Sequence, residues 1–336
     1  MAVQVCPITV KQANSRPLPL LQMNIYKLNK GKMAEIDRDP FSLEKDIQSL
    51  VEKNLENLFG LEFVSTEFKV GDYRIDTLAF DRDSSAFVII EYKKGHSYSV
   101  IDQGYSYLSA MLQSRAEFIL EHNEKSGEVL KRDDIDWSQT KVIFVSPSFN
   151  PFQKNSVNFK DVPFELWEIR RFSGDLVVLE QHKTSSHNSI KQFQKGNSTI
   201  SNVSSEIHVS NEADHTSKTS EECVAIWNNI KDYFAGLEDV RYKVIRKYIS
   251  INKNNKGVCF VGFRKDFLLI SVVSGNISPD GTKSKKFFTF DDPKGLCVGK
   301  DRPFGDQRRY SYKLQINPKT DLDYALWLLK QKYDSL

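Results

Sequence analysis

The residues best suited to chemistry stand at the ends of two short hydrophobic segments. "FVIIEYKKG", residues 87–95, runs from four apolar residues into Glu91, Tyr92, Lys93 and Lys94 with no turn residue between. "YRIDTLAF", residues 73–80, carries Asp76 near its start. The turn-rich "DRDSS" separates them, so the pair reads as a β-hairpin. With residues 81–86 as its loop, Phe80 faces Phe87, Leu78 faces Ile89, and Asp76 faces Glu91. Directly opposed side chains share a face with Cβ atoms about 4.5–5.5 Å apart, and Lys93, two residues beyond Glu91, shares that face. Two opposed carboxylates repel unless a cation lies between them. An all-oxygen ligand pair suits Mg2+ or Mn2+ rather than zinc. The amine of Lys93 beside them can hold a phosphate or orient an attacking water. An isolated E-x-K is a common surface tripeptide; the hairpin pairing and the neighbouring helices set this one apart.

Those helices have readable limits. In "FSLEKDIQSLVEKNLENLFG", Leu43, Ile47, Leu50, Val51, Leu55 and Leu58 share one face, with Ser42 as the expected N-cap and Gly60 as the stop. In "SVIDQGYSYLSAMLQ", Ser99 and Asp102 form a capping box and Ile101, Tyr105, Leu108 and Leu112 make the apolar face. Gln103 and Tyr107, four apart, share a second face offset from the apolar one. "KVIFVSP" and "FELWEIRRF" are further strands. The order helix, hairpin, helix, strand fits a mixed sheet flanked by helices.

The order of these pieces over roughly residues 41–150 resembles the PD-(D/E)XK nuclease superfamily, and in particular its RecB-like and NucS-like endonucleases. The matching pieces are the helical glutamate in "SLEKDIQSLVEKN", the aspartate in "YRIDTLAF", the "EYK" triplet and "QGYSY", which fits a Q-x-x-x-Y pattern. The resemblance implies an α/β, restriction-endonuclease-like mixed sheet. It makes Asp76 and Glu91 the metal ligands, and Lys93 the residue that positions water or the scissile phosphate. Gln103 and Tyr107 would support the site or touch DNA backbone. Counting from Asn54 favours Glu44 as the helical acid, with Glu52 as the fallback. In one departure, the glycine usual just before the motif aspartate is missing, and Gly71 lies five residues earlier. The implied activity is that of a Mg2+- or Mn2+-dependent DNA endonuclease, in repair or in defence against foreign DNA. A catalytically silent nuclease-fold DNA-binding or sensor protein is the alternative. There is no Walker A motif and so no ATP-driven motor.

At 336 residues the chain has room for two domains. Residues 184–220, rich in Ser, Thr and Asn, are expected to be a flexible linker. They would divide an N-terminal extension (1–40) and a nuclease-like domain (41–183) from a small α+β domain at 221–336. That last domain holds 21 Lys and Arg against 14 Asp and Glu, a net charge of +7 that leaves −4 for the rest. Its "RYKVIRKYISINKNNKG", "KSKKFFTF" and "DRPFGDQRRYSYK" interleave basic with aromatic residues, a pattern suited to phosphate contact. Lysines on the wet face of ordinary strands would look the same, so DNA, a protein partner and a homodimer all stay open. The four cysteines form no CxxC and the histidines show no zinc spacing, which reads as reduced thiols in a cytoplasmic protein. The first residues lack a signal-peptide core, and no apolar run approaches the roughly 20 residues a membrane span needs.

Overall fold

The computed structural model describes residues 23–94, 99–183, 186, 188–190, 198–304 and 307–336. An exposed hairpin, β1 (Tyr26–Asn29) and β2 (Lys32–Glu35), comes first. The N-terminal unit follows with α1 (Glu44–Glu52), α2 (Leu55–Phe59), β3 (Glu62–Val70), β4 (Tyr73–Asp81), β5 (Ala86–Tyr92), α3 (Val100–Gln113) and α4 (Arg115–Ser126). It continues with β6 (Lys141–Ser146), α5 (Pro151–Ser156), β7 (Phe164–Phe172), β8 (Leu176–His182), α6 (Ser198–Glu206) and α7 (Ala213–Thr216). Strands β3 to β8 form one six-stranded sheet in sequence order. Its first three strands are antiparallel, β5, β6 and β7 run parallel, and β8 returns antiparallel. This is the mixed sheet flanked by helices that the nuclease resemblance implied.

The central strands are covered on both faces, which explains why Phe87–Ile90 is apolar without alternation. Phe87 and Ile89 join Leu108, Met111 and Phe118 of α3 and α4 in one core. Val88 and Ile90 join Ile47, Val51 and Leu55 of α1 and α2 in another. The hairpin register is the expected one, with Phe80 opposite Phe87 and Leu78 opposite Ile89, and the ladder adds the pair Asp81–Ala86.

Two expectations need correction. Residues 42–60 are not one helix capped by Ser42. Helix α1 starts at Glu44, with Leu43 in the cap position and its amide donating to the Asp46 carboxylate at 2.9 Å. The helix breaks at Asn54, whose side-chain amide donates to the Leu50 carbonyl at 2.8 Å and so competes with the backbone ladder. Gly60 ends α2 as expected, with φ of 66°. The second correction concerns the linker. Residues 198–220, expected to be flexible, are folded. Ile200, Val203 and Ile207 recur at helical spacing; Val203 and Ile207 are buried in the α3 core and Ile200 packs against it. Three apolar residues on one face suffice where a partner helix is already in place, although the tract is polar in bulk. Parts of 184–197, and the extension before residue 23, lie outside the described residues.

The C-terminal unit comprises α8 (Glu221–Ala235), β9 (Val240–Val244), β10 (Ile249–Lys253), β11 (Lys256–Phe263), β12 (Leu268–Ile277), β13 (Val298–Phe304), β14 (Gln307–Ile316) and α9 (Leu322–Asp334). Its strands make an antiparallel sheet in the order β13-β14-β12-β11-β10-β9. Helices α8 and α9 cover one face through Trp227, Ile230, Phe234, Leu328 and Leu329. A polar seam joins the two units. The Lys243 ammonium meets Asp81 at 2.8 Å, and the Tyr248 hydroxyl donates to the Asp83 carbonyl at 3.1 Å. Burial at Asp81 is opposed by the charges of Lys243 and Lys141 and by hydrogen bonds from Lys243 and Ser84, which together hold the carboxyl below its ordinary range.

Helix α3 owes its place on the sheet to Gly104, where a Cβ would come within 2.6 Å of the Phe164 ring. Gly104→Ala is expected to lower stability by about 1–3 kcal/mol through overpacking. That loss would come despite the roughly 1 kcal/mol that alanine gains over glycine in helix propensity. Thermal unfolding of Gly104→Ala and of Gly104→Ala/Phe164→Leu checks this: the double variant should recover most of the loss. A single variant as stable as the parent would refute the close-approach account.

Candidate active site

Asp76 lies on β4 where the hairpin ladder ends. The last backbone pair is Thr77 with Ile90, so the next pair in register is Asp76 with Glu91. In place of a further rung, the Asp76 carboxylate accepts the Tyr92 amide at 3.1 Å. On the other side, Lys93 continues the parallel ladder by donating its amide to the Val145 carbonyl at 2.9 Å. Strand β5 is therefore held firmly up to the residue that carries the amine.

Glu91 is only 3% exposed. Its Oε1 accepts the Lys93 ammonium at 2.7 Å and the Gln103 side-chain amide at 2.7 Å. Gln103 also donates to the Tyr107 hydroxyl at 2.9 Å, and Tyr107 donates to the Arg74 carbonyl at 3.4 Å. Helix α3, started by Ser99 accepting the Asp102 amide, thus brings Gln103 and Tyr107 to the carboxylate. Glu91 Oε2 is buried without a hydrogen bond among the described residues.

The electrostatics match that gap. Burial, and then the charge of Asp76, push the Glu91 carboxyl up to about 7 against the pull of Lys93 and Gln103. Asp76 is also raised, first by burial and then, after the opposing Tyr92 amide and Lys93, by Glu67 and Glu44. Burial thus raises both carboxyls, and at Glu91 the charge of Asp76 adds to it. Burial and the Glu91 charge likewise push the Tyr107 hydroxyl up, keeping it a neutral donor.

Glu44 and Glu52 occupy different surroundings on α1. Glu44 is exposed, accepts the Lys94 amide at 2.7 Å and lies close enough for its charge to reach Asp76. Glu52 Oε1 accepts the Thr77 hydroxyl at 2.6 Å and the Gln48 amide at 2.9 Å, so it is engaged behind the strand. Gln48, one turn from each, was not picked out from sequence. It is 4% exposed and its side chain donates to the Asp76 carbonyl at 2.8 Å and to Thr66 at 3.0 Å. Its signal was there to find: Glu44, Gln48 and Glu52 repeat every four residues beside the apolar stripe. Glu67 was missed too. It sits on β3 at φ of 52°, pairs with Arg74 at 2.9 Å and Lys45 at 3.2 Å, and no sequence period announces it.

The expected residues Glu44, Asp76, Glu91, Lys93, Gln103 and Tyr107 therefore converge at one end of β4 and β5, and Glu52 stands behind them. The donor set fits a hard divalent cation: two carboxylates, one with a buried oxygen still lacking a partner, and no sulfur or imidazole. Among the described residues, no three His, Cys, Asp or Glu side chains converge as a ligand group. None of the described helices is long and apolar enough to cross a membrane.

No family model matches the chain. Three solved structures are similar to part of this chain. A repair endonuclease from Pyrococcus abyssi is 19% identical over 35% of this chain and 43% of its own, with a TM-score of 0.20. An EndoMS–double-stranded DNA complex is 16% identical over 44% of this chain and 64% of its own, with a TM-score of 0.21. SfsA of Pyrococcus furiosus, in complex with Ca2+, is 12% identical over 47% of this chain and 74% of its own, with a TM-score of 0.23. The chain thus spans less than two thirds of the length of the two endonuclease structures. A protein of Haemophilus influenzae strain Rd, described as uncharacterized, is 37% identical over 311 residues, which are 92% of this chain and 99% of the relative. At that identity over nearly the whole of both chains, this protein belongs to the family of the Haemophilus influenzae protein.

Proposed function

We propose that this protein is a metal-dependent DNA endonuclease that hydrolyses phosphodiester bonds at the Asp76–Glu91–Lys93 site. The observation that carries this reading is the buried Oε2 of Glu91, without a hydrogen bond among the described residues, beside a second carboxylate. A group that has lost water and gained no partner costs stability unless a ligand completes it. Asp76 and Glu91 would hold Mg2+ or Mn2+. When bound, such an ion lowers the pKa of a water and offsets the charge that builds on phosphate during displacement.

The chain's own residues do the rest. The Tyr92 amide fixes the Asp76 carboxylate, and Gln48 fixes the backbone carbonyl of the same residue. Gln103 holds Glu91 Oε1 in one orientation and is itself steadied by Tyr107. Lys93, 2.7 Å from Glu91, would hold a non-bridging oxygen of the scissile phosphate or orient the incoming water. Glu44, exposed at the helix start, can reach solvent at this end of the sheet. Repair of DNA and defence against foreign DNA are the settings that this chemistry serves.

The second reading is a nuclease-fold DNA-binding or sensor protein without turnover. It rests on the convergence of two rather than three acidic ligands among the described residues. Purified protein incubated with single-stranded, duplex, branched and mismatched DNA in Mg2+, Mn2+ or EDTA decides between them. Cleavage in metal alone supports the enzyme, and binding without cleavage supports the sensor.

Asp76→Asn and Glu91→Gln should each reduce cleavage on the order of 10²–10³-fold or more, the scale seen when one charge-stabilising group is removed. Lys93→Ala should also lose turnover yet keep cation binding. The independent readout is thermal stability. In the parent, Mg2+ or Mn2+ at 100 times its Kd should add about 2.7 kcal/mol. Lys93→Ala should retain most of that gain, and Asp76→Asn and Glu91→Gln should lose it. If all three variants cut DNA like the parent, the site is misassigned.

The two helical acids separate in the same assay. Glu44→Gln should reduce cleavage with little change in melting temperature, because its side chain is exposed. Glu52→Ala should lower the melting temperature more than the turnover, because it leaves Thr77 and Gln48 without their acceptor. The reverse pattern would make Glu52 the acid of the site.

A further inference from the structure

Strands β3 and β4 turn over at one point, and that point lies beside the candidate site. Thr66 pairs with Thr77, and Phe68 pairs with Ile75, so Glu67 and Asp76 stand across from each other between those pairs. Residues two apart on a strand normally share a face. Here they do not. The Thr66 hydroxyl accepts the Gln48 amide and the Thr77 hydroxyl donates to Glu52, so both face α1. Phe68 meets Phe118 of α4 edge-on, with ring centroids 5.1 Å apart, and Ile75 lies in the same core. On β3 the reversal falls at Glu67, where φ is 52°. On β4 it falls at Asp76, whose carboxylate reaches across to the Tyr92 amide.

A glutamate is a poor choice for that backbone. In the left-handed region its Cβ crowds the carbonyl oxygen, whereas glycine enters freely. The chain does use glycine in this way at Gly60 and Gly71, with φ of 66° and 54°. Among the described residues, the non-glycine positions with left-handed backbone are Lys30, Glu67, Ser85, Asp175, Asp239 and Asn254. All but Glu67 lie in connections between elements; Glu67 lies inside a strand. Its ion pairs recover little of the cost. Arg74 at 2.9 Å and Lys45 at 3.2 Å are 64% and 58% exposed, and exposed pairs add little to stability. What the carboxylate does is join elements across the reversal. Lys45 of α1 also donates to Gln48 Oε1 at 3.2 Å, and Gln48 donates to the Asp76 carbonyl at 2.8 Å. Arg74 stands two residues before Asp76, and its carbonyl accepts the hydroxyl of Tyr107, the residue that steadies Gln103 against Glu91.

We propose that Glu67 is a positioning residue of the hydrolytic site: its backbone holds the strand pair turned over at Asp76, and its carboxylate fixes that turn through Lys45 and Gln48 on one side and Arg74 on the other. The assignment rests on the nuclease reading, since Asp76 is the carboxylate that Glu67 places. Glu67 acts through Asp76 and not on the substrate. In a regular strand Asp76 would share the face of Leu78 and Phe80, which point into the α3 and α4 core. The reversal takes it off that face and leaves its carboxylate at the Tyr92 amide, beside Glu91. Costly backbone persists where the surrounding structure over-determines it, and such positions gather at functional sites. Removing a group that orients a metal ligand typically costs about 10–100-fold in metal affinity or activity.

The experiment uses the full chain and reads Mn2+ binding by isothermal titration calorimetry without DNA, and thermal unfolding in EDTA. The variants are Glu67→Gly, Glu67→Gln and Glu124→Gln, the last of which removes an exposed acid on α4. Glu67→Gly relaxes the backbone and removes the carboxylate. It should melt no lower than the parent yet bind Mn2+ about 10–100-fold more weakly. Glu67→Gln keeps an acceptor for Arg74 or Lys45 and should lose less, and Glu124→Gln should match the parent. Unchanged Mn2+ affinity in Glu67→Gly overturns the inference. So does a Glu67→Gly that melts well below the parent, which would make Glu67 a support of the fold. Equal losses in Glu67→Gly and Glu67→Gln overturn it as well, since charge alone would then be acting. DNA cleavage in Mn2+ is scored separately. A parent that binds Mn2+ but never cuts removes the nuclease reading, and the placing of Asp76 is then decided by the same affinities. A parent that cuts, with a Glu67→Gly variant that cuts and binds Mn2+ equally well, removes this inference alone. A parent that binds no Mn2+ removes both.

Discussion

Everything at the candidate site follows from placing two carboxylates opposite each other at the end of strands that are buried on both faces. Asp76 and Glu91 cannot turn away to water without breaking the register that seats Leu78 against Ile89 and Phe80 against Phe87. Those inner pairs are fully or almost fully buried, and each large apolar side chain contributes about 1.5–3 kcal/mol. The hydrophobic ladder thus stabilises an arrangement that the charges alone would refuse. Lys93 and Gln103 offset part of the repulsion through one oxygen of Glu91, and the second oxygen has no hydrogen bond among the described residues.

The surrounding elements hold that arrangement still. Helix α1 reaches over the strand through Gln48, whose one amide touches Glu52, Thr66 and the Asp76 carbonyl. Helix α3 comes close to the sheet because Gly104 has no Cβ, and this brings Gln103 within bonding distance of Glu91. Glycine inside a helix is unfavourable by propensity, so its presence here marks a contact that outweighs propensity. The same logic recurs in the second unit. Arg302 facing Arg309 is as poor a pair for a sheet as Asp76 facing Glu91, and it too is carried by hydrophobic burial on the opposite face, at Leu314 and Ile316.

Much of this was legible in the sequence because local patterns govern it. The apolar run at 87–90 and the turn at 81–85 fixed the hairpin register, and the register fixed which charges meet. The spacing of Gln103 and Tyr107 put them on one helix face. Where local patterns compete, the reading failed. A long apolar stripe suggested one helix over 42–60, but the Asn54 side chain takes the Leu50 carbonyl and divides it. The Ser-, Thr- and Asn-rich composition of 184–220 suggested a linker, but Ile200, Val203 and Ile207 within it needed only the waiting surface of α3 to fold.

The sequence by itself determined the chemical inventory: two carboxylates and an amine at one strand end, a helix carrying an amide and a phenol, and a basic second half. Those are consequences of residue type and of the two short periods, 2.0 and 3.6, that side chains follow. The tertiary structure alone decided which helical acid is exposed and which is engaged, that Gln48 is buried behind Asp76, and that Glu67 adds its charge. It also decided that Arg302 of β13 stands directly opposite Arg309 of β14. Burial and electrostatic fields depend on elements far apart in the chain, and no spacing along one segment records how closely another will approach it.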